Sequence, residues 1–370
     1  MTLFEQITSF DNLYDAYKAA ARGKHDRLEV LRHDLQAEKI LLRLRRQLRD
    51  GSYHHGKYRT FMVYDPKVRD VSAAPFTDRI VHHAIVRKIE PLFERIFIFD
   101  SYACRKGKGT HAAVLRLQHF LRSAHDKYGE FYLLRADIRK FFASIDHNIL
   151  LALLAKQIHD PKTLELCQHI IASYHEPCAE DAPVSSPLNP SLFGEQLTLS
   201  NLLPPKLPLL GQPIGNLTSQ LFANIYLNHL DQYVKHTLTE PYYLRYMDDF
   251  LIIHPKKDHL NEVKVALEEF ANSNLHLVLN QNKSNVHKFI HYERFVGYDA
   301  GPFVRRLSKP TVQRFLRRLK KTHLQKGERA ARASWSQFDA YASFAHSQGL
   351  LRKINPFDKK DSCDSIQTLL

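Results

Sequence analysis

Two adjacent acids, Asp248 and Asp249, stand between two apolar runs that read as the strands of a hairpin over Tyr243 to Ile253. Unpaired carboxylates beside a core are costly to bury, and a bound divalent cation would offset that cost. A third acid, Asp137, closes the apolar run that begins at Phe131. Carboxylate oxygens of this kind suit magnesium, which keeps waters and substrate phosphates among its ligands. A pair of such ions about 4 Å apart can activate a hydroxyl and stabilise a departing pyrophosphate. The chemistry on offer is therefore two-metal nucleotidyl transfer, with manganese as a possible substitute for magnesium. Plainer alternatives exist for each acid. Asp248 and Asp249 could form a polar turn, and Asp137 could cap a helix.

The elements that must hold these acids are legible from periodicity. Phe131–Asp137 reads as a buried strand that ends in its carboxylate, and Tyr243–Ile253 as a hairpin joined at Met247, Asp248 and Asp249. Helical spacing predicts helices around Phe10–Tyr17 with Asp11 as cap, over Leu28–Leu48, Thr77–Phe93, Leu217–Val234 and Leu260–Ser273, and from Pro310 onward. Tyr58–Arg69 is strand-like with a turn at Asp65-Pro66, and Leu275–Leu279 alternates like a strand. The Pro- and Leu-rich stretch 178–213 reads as a long loop with room for a short hairpin.

Charge narrows the partner. The 370 residues carry 53 Lys and Arg against 39 Asp and Glu, a net charge of +14. Between Arg305 and Arg332 there are 11 basic residues and one acid, Glu328, which concentrates the excess in one helical segment. Such a segment favours a polyanion, because cations on phosphates release condensed counterions. A solvated basic face is the alternative. Cys104, Cys167, Cys178 and Cys363 have no metal-binding or redox spacing and read as thiols of a reducing compartment. No basic leader and no membrane-spanning apolar run is evident, so the cytoplasm is the expected location, with no membrane partner.

In order along the chain, these blocks closely resemble the reverse transcriptase family. The quoted resemblance covers roughly Tyr53 to Tyr298. Tyr246-Met247-Asp248-Asp249 is one of the family's best-known signatures, and Asp137-Ile138-Arg139-Lys140-Phe141-Phe142 looks like its first palm motif. The resemblance implies an α+β right-hand polymerase fold of fingers, palm and thumb, with an antiparallel palm sheet packed on helices and a helical thumb. It divides the chain into an N-terminal helical extension (1–56), fingers (57–130), palm with a finger insertion and the loop near 178–213 (131–302), and a basic thumb with a C-terminal tail (303–370).

Residue roles follow from the same resemblance. Asp137, Asp248 and Asp249 would hold the metals. Phe142 would lie under the sugar of the incoming nucleotide and exclude a 2′-hydroxyl. Lys67 and Arg69, near Asp78 and Arg79, would grip the triphosphate. Lys283, in Leu279-Asn280-Gln281-Asn282-Lys283, would face the leaving pyrophosphate as a general acid or as a fixed charge. Arg105, within Ser101–Gly107, would lie along the template. Phe295, Gly297 and Tyr298 would form the primer grip. Arg314, Arg317, Arg318 and Lys321 would follow the duplex backbone. Asp146 would cap the next helix.

One block points to a branch. Ile214-Gly215-Asn216-Leu217-Thr218-Ser219-Gln220 stands where retroviral and group II intron enzymes begin with Gln and end in Ser-Pro. The pattern is similar to reverse transcriptases of diversity-generating retroelements. Ile214, Gly215 and Gln220 would then border the nucleotide. Ile214 cannot donate the hydrogen bonds a Gln can, and looser positioning reduces the penalty against a mispair. Plain packing of Ile214 is the alternative.

This branch implies error-prone copying at template adenines (mutagenic retrohoming). Its partners would be template RNA, the cDNA primer–template duplex, deoxynucleotides and a small basic helical accessory protein. The tail after residue 350 is too short for an endonuclease or RNase H domain. Competing expectations are a defence or group II intron-like enzyme, and a non-catalytic RNA-binding scaffold.

Overall fold

The structure is a computed structural model that describes residues 1–64, 68–175 and 209–357. In chain order it begins with α1 (Leu3–Ile7), α2 (Phe10–Ala21), α3 (Leu28–Asp34) and α4 (Ala37–Asp50). There follow β1 (Arg59–Val63), β2 (Arg69–Ala73), α5 (Phe76–Glu94), α6 (Thr110–Tyr128), β3 (Tyr132–Asp137), α7 (His147–Ala155) and α8 (Pro161–Ala172). Then come α9 (Leu217–Gln232), β4 (Tyr243–Tyr246), β5 (Asp249–His254), α10 (Lys257–Leu275) and β6 (Asn285–Lys288). The described chain closes with β7 (Glu293–Phe295), β8 (Tyr298–Ala300), β9 (Arg305–Leu307), α11 (Lys309–Ala342) and α12 (Gln348–Ile354). It is an α+β fold with antiparallel pairing in a two-stranded, a four-stranded and a three-stranded sheet.

Two compact units interleave along the sequence. The first comprises Met1–Phe99, Ala136–Glu240 and Val263–Ser284. Its core is helical: α5 buries Ile80, Val81, Ala84, Ile85, Ile89 and Phe93, and α9 is buried on most sides. The buried residues of α9 include the polar Thr218, Ser219, Asn224, Asn228 and Asp231 beside its apolar ones. Asp146 caps α7 by accepting from the amides of Asn148 and Ile149, as expected. The helix at Phe10 is capped by Ser9, whose side chain accepts from Asn12 N, rather than by Asp11. The single helix expected over Leu28–Leu48 is two, α3 and α4, because the chain leaves helical geometry at Gln36.

The second unit comprises Asp100–Arg135, Pro241–Glu262 and the chain from Asn285. Its sheet runs in the order β4-β5-β3-β6. Leu117, Phe120 and Leu121 of α6, Leu244 and Leu251 of the hairpin, and Phe315, Trp335 and Phe338 of α11 share one core. α11 is not straight. Gly327 has φ 79 and ψ 178, and the rings of Phe315 and Phe338 stack with centroids 3.7 Å apart. In a straight helix these residues would lie about 35 Å apart at the usual rise, so the basic segment is a helical hairpin.

Among the described residues, Leu275–Leu279, expected as a strand, pairs through the single bridge between Ile138 and Leu279; β3 lies between β5 and β6. The expected loop over 178–213 lies outside the described residues up to Pro208, as do Cys178, Cys363 and the turn at Asp65-Pro66. Cys104 and Cys167 are free thiols. Among the described residues, no helix is long and apolar enough to cross a membrane.

Candidate active site

In the first unit, Asp137 ends β3 and is 6% exposed. Its Oδ1 accepts from Lys283 Nζ at 2.6 Å and from Asn280 Nδ2 at 3.1 Å. Its Oδ2 makes no hydrogen bond among the described residues. Backbone bonds fold the 279–284 turn over it: Asn280 N donates to Asp137 O at 2.7 Å, and Lys283 N and Ser284 N each donate to Asn280 O at 2.9 Å. The Lys283 side chain, 42% exposed, sits directly on the carboxylate expected to bind metal. Asn280, to which the sequence assigns no role, is the second side-chain donor to Asp137. Its signal was its place two residues after the apolar Val278, in the same short turn as Lys283.

In the same unit, β2 carries Arg69, which is exposed; Lys67 lies outside the described residues. Ser72 N donates to Ile214 O at 3.0 Å. Asn216 clamps the two segments with both ends of its amide, Nδ2 donating to Ser72 O at 3.0 Å and Oδ1 accepting from Ala74 N at 3.3 Å. Gly215 has φ 115, and a Cβ there would come within 2.8 Å of Val71 Cγ1, so only glycine allows this close approach. Phe142 is half-buried in a 3-10 turn, and its carbonyl accepts from Gln212 N at 2.7 Å. Arg69, Phe142, Ile214 and Gly215 are thus joined through β2 and the 212–216 segment, and Gln220 follows, half-buried, in the first turn of α9.

Asp78 and Arg79 serve the local fold. The Asp78 carboxylate accepts from Tyr53 Oη and Gly56 N, and Arg79 Nε donates to Ala74 O.

In the second unit, β4 and β5 pair with Tyr246 opposite Asp249, leaving Met247 and Asp248 as a two-residue turn. Asp249 is thus the first strand residue rather than part of the link. Met247 has φ 56 while Asp248 does not have positive φ, the pattern of a II′ hairpin turn, where glycine is usual. An L-residue in this region costs about 1–2 kcal/mol. Such a cost marks the Met247-Asp248 turn as constrained.

Arg135 Nη2 lies 3.8 Å from Asp249 Oδ1. Sequence reasoning missed Arg135, although the two-residue period of a strand puts it on the same side of β3 as Asp137. β5, which begins at Asp249, is the neighbour of β3 in the sheet.

Phe295 and Tyr298, expected to grip the primer, are 1% and 0% exposed and lie in the core. Their large apolar surfaces are better satisfied there, which leaves the Val296-Gly297 turn as the accessible part. Gly297, at φ 94, has its carbonyl held by Ser308 N and Thr311 Oγ1. Arg105 Nη1 donates to Ser101 O at 2.8 Å. On α11, Arg314 is half-buried and bonded to Pro310 O, while Arg317, Arg318 and Lys321 are exposed and have no acidic partner among the described residues.

Among the described residues, no group of three or more His, Cys, Asp or Glu side chains forms a cage for an ion. The donors present are carboxylates, with Asp137 Oδ2 uncommitted. A carboxylate oxygen such as Asp137 Oδ2 is the donor type that magnesium takes, the ion drawing its other ligands from substrate phosphates and water.

The family model for reverse transcriptase (RNA-dependent DNA polymerase) matches residues 64–316. The group II intron-encoded protein LtrA of Lactococcus lactis subsp. cremoris is 22% identical over 357 residues, covering 79% of this chain and 54% of that protein. Protein YkfC of Escherichia coli K12 is 26% identical over 195 residues, covering 52% of this chain and 44% of its own length. The chain therefore spans about half the length of the curated relatives it matches. Among solved structures, telomerase from Candida albicans with a fragment of telomeric RNA aligns at TM-score 0.46 and 11% identity, over 79% of this chain and 55% of that one.

Proposed function

The chain belongs to the reverse transcriptase family, and on that premise we propose that it copies a template RNA into complementary DNA. The observation that carries this reading is the match to the reverse transcriptase family model over residues 64–316, which includes Asp137, Asp248 and Asp249. Asp137, with one oxygen uncommitted, ends β3, and the strained Met247-Asp248 turn leads into β5, its sheet neighbour. In this reading Asp137 and Asp248, supported by Asp249, hold magnesium, with manganese as its substitute. Such an ion, when bound, would supply charge neutralisation at the primer hydroxyl and the pyrophosphate.

The chain's own residues do the rest. Lys283 leaves its ground-state partner, Asp137, to meet the pyrophosphate, and Arg69 with Lys67 offsets triphosphate charge. Phe142 bears on the sugar. The turn at Gly297 supports the primer, Arg105 the template, and Arg314, Arg317, Arg318 and Lys321 the duplex. The division into extension (1–56), fingers (57–130), palm (131–302) and thumb (303–370) belongs to the same proposal. Purified protein with magnesium, an RNA template, a DNA primer and deoxynucleotides extends the primer; failure to extend with either metal on any primed RNA overturns the reading.

Within the family, the Ile214–Gln220 pattern supports a diversity-generating role, with errors at template adenines and a small basic accessory protein as partner. Sequencing the complementary DNA tests it: errors clustered at adenines support the branch, and an even spectrum removes it. A second reading, a group II intron-like enzyme, is favoured by the similarity to LtrA over most of this chain. It predicts accurate copying and no dependence on such a partner.

A further inference from the structure

Arg245 lies in the middle of β4, one residue before the Tyr246–Asp249 signature, and is 0% exposed. It is among the largest fully buried side chains of the molecule. Burying a guanidinium is costly, and a well-packed apolar side chain of similar size often serves a fold as well or better. The charge therefore calls for a use beyond filling space.

Its contacts supply one. Nη1 donates to Met247 O at 3.0 Å, the carbonyl of the left-handed residue in the catalytic turn. That carbonyl belongs to the peptide unit that also carries the Asp248 amide, and peptide planarity makes the two move together. Nη2 donates to Ser101 Oγ at 3.0 Å. The backbone is fixed as well: Arg245 N donates to Asp100 O at 2.9 Å, and Arg245 O accepts from Tyr102 N at 3.0 Å. The 100–102 segment thus pairs in parallel with the outer edge of β4, which is the edge strand of its sheet. The same segment leads to Arg105, whose Nη1 donates to Ser101 O.

We propose that Arg245 is a positioning residue for Asp248. Acting through the Met247 carbonyl, it holds the strained turn that presents the Asp248 carboxylate. Through Ser101 it ties that turn to the block expected along the template. This inference rests on the polymerase reading, and the wild type and Asp248→Asn test that reading separately.

The experiment compares wild type, Arg245→Met, Arg245→Lys and Ser101→Ala on a primed homopolymeric RNA. Four quantities are read: single-turnover extension rate against magnesium and against deoxynucleotide, metal-free primer–template binding by fluorescence anisotropy, manganese binding by electron paramagnetic resonance, and thermal melting. Arg245→Met is expected to slow extension about tenfold or more, to raise the magnesium midpoint and to weaken manganese binding by about threefold or more. Its nucleotide KM and its primer–template affinity stay within about twofold of wild type. Arg245→Lys, which retains one donor, falls between. Ser101→Ala slows extension about threefold and adds little in combination with Arg245→Met.

A folded Arg245→Met with wild-type rate and metal dependence overturns the proposal. So does a loss of rate that comes with equal loss of melting temperature and unchanged metal binding, which is what mere packing predicts. If Arg245→Met does not fold, Arg245→Lys and Ser101→Ala decide, and wild-type metal dependence in both is contrary. An inactive wild type removes the polymerase reading, and this inference with it.

Discussion

At the scale of single residues, the proposed chemistry turns on Asp137 and its two donors. Lys283 Nζ at 2.6 Å and Asn280 Nδ2 at 3.1 Å share one oxygen, and the other makes no hydrogen bond among the described residues. Lys283→Ala is expected to lower the rate of a single nucleotide addition by about tenfold to a hundredfold and to leave primer–template binding intact, as measured by rapid quench. An unchanged rate would return Lys283 to a structural ion pair. Phe142→Ala should admit ribonucleotides, read as the ratio of kcat/KM for deoxy- and ribonucleotides; an unchanged ratio would show that the ring does not gate the sugar. The acids were legible in the sequence because paired carboxylates between apolar runs demand an explanation. Asn280, Arg135 and Arg245 were not, because their roles arise from backbone turns and strand neighbours that no local spacing encodes. Phe295 and Tyr298 show another limit: in a recognisable block, spacing does not say that the core takes these two side chains.

At the scale of elements, β2 and the segment before α9 act as one piece because Asn216 spends its whole amide between them. Asn216→Ala leaves the buried Ala74 N–H and Ser72 C=O without that partner, a cost of about 1–3 kcal/mol. It should raise the deoxynucleotide KM more than it lowers kcat, and a KM equal to wild type would count against the clamp. Helix α5 gives a pH signature. Burial, with the charge of His55 adding to it, pushes His82 down from 6.5 to about 3, and burial pushes His83 down to about 4. Both are neutral in the folded state, whereas the unfolded chain takes up their protons near the ordinary value. Their contribution to stability is thus complete above about pH 6.5 and declines as pH falls towards about 4, at up to about 1.4 kcal/mol per unit for each. Urea midpoints at pH 7.5 and pH 5 check this, and a variant with His82→Gln should lose less on acidification than wild type. Most helices and the hairpin were legible from periodicity. The break at Gln36, the kink at Gly327 and the choice of β6 over Leu275–Leu279 were not. The fold-back of α11, for one, is fixed by the stacking of Phe315 on Phe338, 23 positions away in the chain.

At the scale of the whole molecule, a net charge of +14 and the excess on α11 fit a partner held by its backbone. Replacing Arg314, Arg317 and Arg318 together should weaken primer–template binding and reduce the slope of log affinity against log salt by about 2–3. An unaltered slope would mean that this face is only solvated. The fold class and family were readable from ordered blocks, whereas the two interleaved units were not, since they join stretches of chain far apart in sequence. The central proposal is that this chain adds nucleotides to a primer on RNA and that Asp248 is essential to the addition. Its most direct measurement is primer extension on RNA by wild type and by a folded Asp248→Asn protein under matched magnesium. The wild type should extend while Asp248→Asn falls by about a thousandfold or more; robust synthesis by Asp248→Asn would contradict the claim.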